Sequence, residues 1–178
     1  QWAQRNPKAL IYKALPKQPS TLLTISDAAF KREEKDGYSL RGAAFLRQAG
    51  PGGHRAEGSG IHFLEWSCRS QRHVCRSTFA AELLGANDAL DEAMPLSQLL
   101  GELENGVPDV THIREFYEGP GSVPIVVAID AKSVYAAATA TFVKAPAEKP
   151  LLLHLQYLRS KLDLGIIKAL LWIDTRDM

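Results

Sequence analysis

The sequence predicts an α/β chain built on a mixed sheet with flanking helices, and three observations carry that prediction. Apolar runs of strand length, rich in β-branched residues, recur at 21–30, 38–47, 61–66, 123–131 and 166–173. Segments with apolar residues at helical spacing appear only after the third of these runs. The resulting order, β-β-β-α-β-α-α-β, is an antiparallel meander followed by parallel additions, and it is satisfied by one sheet with helices packed on it.

The elements follow in order. Residues 1–20, punctuated by Pro7 and Pro16, read as a connector, with the domain proper spanning 21–178. Thr21–Phe30 is an apolar run ending on Asp27 and its neighbours, a strand. Lys31–Gly37 is a charged turn closing in Asp-Gly, a hairpin signal, and Tyr38–Arg47 is the returning strand. Ala49–Gly60 is a Gly-rich loop, and Ile61–Trp66 a third strand. Ser77 and Thr78 offer N-caps for a helix carrying Phe79, Leu83, Leu84, Ala86, Leu90, Ala93 and Met94 on one face. Pro95 is expected to end or kink it, with a second piece from Leu96. Asn105–Pro124 reads as loop around a short turn at 112–118. Val123–Ala131 is an apolar run of strand length, the mark of a strand buried on both faces. Ser133–Ala140 is a short helix and Lys149–Leu164 a longer one, closed by Gly165. Ile166–Ile173 is the last strand.

Composition narrows the function classes. The 178 residues carry a net charge of +1, which excludes the strongly basic signature of a dedicated nucleic-acid binder. Any such binding must come from a local site. Cys68 and Cys75 fit neither a disulfide framework nor a zinc pattern. The polar opening QWAQRNPKAL has no secretory apolar core, and no segment has the run of about 18 apolar residues that a membrane span needs. An intracellular protein is expected. The chain does not begin with Met and reads as an excerpt.

Three acids sit where chemistry would want them. Asp27 lies at the end of the first strand, Asp130 at the end of the fourth, and Glu82 in the first turns of the helix after the third. Carboxylates converging off strand ends can hold Mg²⁺, a hard cation that prefers oxygen. Acids at strand ends also serve as turn and cap residues. Other residues have structural readings. His54, His62, His73, His112 and His154 show no metal-ligand spacing; His54 is expected in solvent and His154 partly buried on its helix. Arg69, Arg72 and Arg76, with His73, either contact a phosphate backbone or form a charged strand edge that discourages pairing. Trp66 and Trp172 are expected in the core, and Leu151–Leu158 as a core-facing stripe.

The words around the acids resemble those of the ribonuclease H domain of copia-type retrotransposon Pol polyproteins. Ser26–Phe30 (SDAAF) is similar to that family's SDADW, Trp66–Gln71 (WSCRSQ) to WKSKKQ, and Ser77–Leu83 (STFAAEL) to SSTEAEY. Ser39 and Gly42 match its KSTSGY stretch, Ala128–Val134 (AIDAKSV) its strand ending in Asp-Asn, and Glu148–Arg159 its TKHIDIRYHFIR. Leu10–Leu15 resembles the end of the reverse-transcriptase connection. The resemblance implies a ribonuclease H-like fold with a five-stranded mixed sheet. It implies a Mg²⁺-dependent endonuclease (Mn²⁺ being an alternative) that cuts RNA in RNA–DNA hybrids during reverse transcription, within a cytoplasmic virus-like particle. Its metal ligands would be Asp27, which bridges both ions, Glu82 and Asp130. Its partners would be the hybrid and the reverse-transcriptase part of the polyprotein, with no membrane.

Departures accompany it. Ala131 replaces an Asn or Ser, Pro150 a His, and Phe79-Ala80 a Thr-Glu pair. The family's last Asp is expected three residues past Met178, since Thr175 takes the Thr of its T-x-x-Q-x-A-D word; Asp174 and Asp177 are out of register. The chain as it stands is therefore expected to be a poor nuclease. An inactive retrotransposon-derived remnant is the rival reading. An integrase-like transferase of the same fold is disfavoured, because Glu82 lies between the two aspartates in sequence.

Overall fold

Leu22, Thr24, Ser26 and Ala28 alternate along the first strand, β1 (Ser20–Ala29), and all are buried. A period of two puts them on one face. The computed structural model describes residues 10–15, 19–30, 38–50, 60–118, 123–142 and 145–174. Against the buried face of β1 lies helix α1 (Thr78–Asn105), so close that a Cβ at Gly85 would stand 3.3 Å from Ala28 Cβ. Strand β2 (Leu40–Ala49) pairs antiparallel with β1, and β3 (Ile61–Ser70) pairs antiparallel with β2, with a register shift at Phe45/Leu46. Phe45 is completely buried. Truncating such a Phe to Ala costs about 3–5 kcal/mol, so this one side chain does much to tie the meander to its core.

The fourth strand, β4 (Ile125–Ile129), is buried along its whole length and runs parallel to β1 on the other side. β5 (Ile167–Trp172) runs parallel to β4, giving the order β3-β2-β1-β4-β5. Between α1 and β4 lie a 3₁₀ turn (Val110–His112) and the short helix α2 (Ile113–Glu118); α3 (Lys132–Thr139) and α4 (Leu151–Asp163) link β4 to β5. α4 buries Leu151, Leu155 and Leu158, the expected stripe. Gly165 then takes a φ of +72°, left-handed backbone that favours glycine, and the chain turns into β5. Strand order and pairing directions are those of the ribonuclease H-like fold.

Several expectations need correction. α1 does not break at Pro95. Leu90, Ala93, Ser97 and Leu100 are buried at helical spacing on both sides of the proline, and Ser97 Oγ donates to the carbonyl of Val123. This continuous packing offsets the lost hydrogen bond of a proline in a helix, about 3 kcal/mol. β1 runs two residues beyond Asp27, and β3 four beyond Trp66. Trp66 is not core but 67% exposed, because β3 is an edge strand. Trp172 is 42% exposed, and His154 is exposed rather than partly buried.

The chain expected as a connector touches the sheet. Tyr12 Oη donates to the carbonyl of Phe63 at 2.6 Å, and His62 Nε2 meets the carbonyl of Lys13 at 2.6 Å. The Asp-Gly turn at 31–37, most of the Gly-rich loop with His54, Pro7, Pro16, and Thr175, Asp177 and Met178 lie outside the described residues. Among the described residues no helix is long and apolar enough to cross a membrane.

Candidate metal centre

Parallel pairing of β1 and β4 matches Ser26 with Ile129. The next residue along each strand is Asp27 on one and Asp130 on the other, so two carboxylates emerge at the same end of adjacent strands, which lie about 4.8 Å apart. The third acid comes from α1. Ser77 caps the helix, its Oγ accepting from the Ala80 N–H at 3.1 Å and donating to Glu148 Oε1 at 2.8 Å. Gln71 fixes the approach: its Nε2 donates to the Ala81 carbonyl at 2.6 Å, its backbone N–H to the Ser39 carbonyl at 2.7 Å, and its Oε1 accepts from Cys75 Sγ at 2.5 Å. Glu82 follows directly. Gly85, one turn further, lets the helix sit low on Ala28. The result is that one carboxylate oxygen each of Asp27, Glu82 and Asp130 lies within 4.8 Å of the others. Asp174 is not a member of this group.

The electrostatics follow from the crowding. Glu82 is 7% exposed. Burial first, then the charges of Asp130 and Asp27, push its carboxyl up to about 8, against a smaller opposing effect from the backbone at Ala28. Asp27 is exposed, yet partial burial and the charge of Asp130 raise it as well, again partly offset at Ala28. Like charges this close resist joint ionisation. A cation among them would remove that conflict, and an all-oxygen donor set suits Mg²⁺ or Mn²⁺.

The basic residues are less tightly grouped. Arg69 on β3 faces Glu92 at 3.7 Å. Arg72 lines a polar cleft of about 280 Å³ with His73, Asn87, Asp91, His154 and Tyr157. Arg76 is exposed just before the cap of α1. Neither Arg69 nor Arg76 lines the cleft.

Sequence reasoning missed two residues beside the acids. Trp172 donates its indole N–H to the Asp130 carbonyl at 2.9 Å, and Lys132 Nζ stands 5.4 Å from the centre of its ring. The available signal was the indole itself, whose N–H needs a partner when it is partly buried.

The chain thus has a ribonuclease H-like fold with an acidic triplet at one end of its sheet. No protein-family model and no curated protein matches the chain. Among solved structures it is similar to the N-terminal RNase H domain of a Mycobacterium tuberculosis protein, at 16% identity and TM-score 0.49, covering 88% of this chain and 84% of that one. It is also similar to LC11-RNase H1 in complex with RNA/DNA hybrid (14%, 0.45, covering 86% and 84%). A third is RNase H1 from the halophilic archaeon Halobacterium salinarum (12%, 0.45, covering 88% and 87%). At these values the fold assignment rests on the strand order and pairing of the chain itself.

Proposed function

We propose that residues 21–178 form the ribonuclease H domain of a copia-type retrotransposon Pol polyprotein, following a connector (1–20) from its reverse transcriptase. In this reading it is a Mg²⁺-dependent endonuclease that cuts the RNA strand of RNA–DNA hybrids during reverse transcription, inside a cytoplasmic particle. One observation carries the reading: Asp27, Glu82 and Asp130, far apart in sequence, present oxygens within 4.8 Å of one another.

The three acids are the ligands in this proposal. Divalent cations held there would activate water and stabilise the leaving oxygen of an in-line phosphodiester displacement. Asp27 on β1 and Asp130 one residue past β4 bring donor oxygens from the same end of two adjacent strands. Glu82, withdrawn from solvent, holds its proton near neutrality and gives it up when positive charge enters. Arg72 and Arg76, both exposed, attract the phosphate backbone. The hybrid itself is distinguished by its shape and by the 2′-hydroxyls of its RNA strand.

The test is a cleavage assay on an RNA–DNA hybrid in Mg²⁺ and in Mn²⁺, with thermal melting in parallel. The expected result is slow, metal-dependent cutting of the RNA strand alone, in keeping with three acids at the site, abolished in Asp27→Asn, and a melting temperature raised by metal. Intact hybrid together with a melting temperature insensitive to either ion would overturn the reading in favour of the inactive remnant.

A further inference from the structure

We infer that Trp172 is a positioning residue for Asp130, acting through the hydrogen bond from its indole N–H to the Asp130 carbonyl. The inference rests on the proposed metal centre and adds a residue to it. Asp130 stands at a half-buried juncture, between the end of β4 and the start of α3. The N-cap position of α3 is Ala131, which makes no side-chain capping bond. A helix start of this kind usually gains its order from a Ser, Thr, Asp or Asn oxygen. Here the restraint comes from the neighbouring strand.

Trp172 pairs in register with Ile129, and the next N–H, that of Ile173, donates to the Ile129 carbonyl at 2.9 Å. The indole then reaches one residue further and donates to the Asp130 carbonyl at 2.9 Å. Successive carbonyls on the approach to the site are thus held by donors from the last residue of β5 and the one after it. The ring is itself held, with Lys132 Nζ 5.4 Å from its centre, close enough for the cation to be attracted to the indole face. Lys132 also belongs to the first turn of α3, so Trp172 binds the backbone on one side of Ala131 and the side chain on the other. At the far end of the same helix, Arg159 Nη1 donates to the carbonyls of Ala138 and Ala140 at 2.9 and 2.6 Å. α3 is therefore fixed at both ends by residues outside it, and the carboxylate of Asp130 projects from the fixed N-terminal side.

The experiment is calorimetric titration of Mn²⁺ into the whole chain, wild type against Trp172→Phe and Trp172→His, with metal-free melting of each. Phe keeps a ring for Lys132 and removes the donor; His keeps a ring N–H. Trp172→Phe is expected to weaken Mn²⁺ binding about tenfold, as loss of an outer-shell hydrogen bond does, and Trp172→His to stay within about threefold of wild type. Equal losses in both variants would overturn the role of the hydrogen bond, as would unchanged binding in the Phe variant. If wild type itself binds no Mn²⁺, the metal centre fails, and the positioning role fails with it for that separate reason.

Discussion

Replacing Glu82 by Gln tests the electrostatic reading of the site most directly. The change keeps the shape and removes the charge. In the native protein without metal the Glu82 carboxyl sits at about 8, against 4.5 for an ordinary one. Between those values the unfolded chain has released this proton and the native chain has kept it. Stability therefore falls as pH rises. The contribution is fully present below 4.5 and lost as pH passes through about 8. At about 1.4 kcal/mol per unit the effect is roughly 5 kcal/mol without screening. Allowing for solvent on the open side of the site leaves about half of that. For a chain of this size that corresponds to about 5–10 °C in melting temperature. The assay is thermal melting in EDTA from about pH 5 to pH 9. The wild-type curve should fall relative to Glu82→Gln by that amount across the range, and Mg²⁺ should flatten the wild-type curve alone. Asp27, raised in the same direction, leaves a residual slope common to both proteins. Parallel curves for the two proteins would refute the argument, because the crowding of Glu82 would then have no thermodynamic consequence.

Two further outcomes follow from the packing and the charges. Gly85→Leu places side-chain atoms where a Cβ alone already meets Ala28 at 3.3 Å; it should destabilise by about 1–3 kcal/mol in urea unfolding and weaken metal binding by lifting Glu82, and wild-type values for both would show that the helix does not need its close seat. Arg72→Ala and Arg76→Ala should each lower hybrid affinity and reduce the salt dependence of binding by about one phosphate contact, whereas Arg69→Ala, engaged with Glu92, should do less; equal effects from all three would argue for a diffuse charge effect instead.

The sequence by itself determined the element order and the three acids. Strand and helix periods are local, set by alternation along one strand or by a three-to-four residue spacing, so they survive without knowledge of neighbours. The apolar run within 123–131 announced a strand buried on both faces, and β4 is one. The acids were legible because each sits at the end of such a period, within words resembling one family. What needed tertiary structure was everything set by neighbours. Pro95 predicts a break from local chemistry, but burial on both sides of it carries α1 through. Trp66 looks like core until β3 proves to be the edge of the sheet. Trp172 closes an apolar run, yet its function is set by a carbonyl 42 positions away in the chain. The raised carboxyl of Glu82 likewise has no local sign, because desolvation and like charge depend on which groups the fold places around it. Periodicity is a property of a segment; exposure, register and pKa are properties of contacts, and the parallel register of β1 with β4 is what turned two separate strand ends into one site.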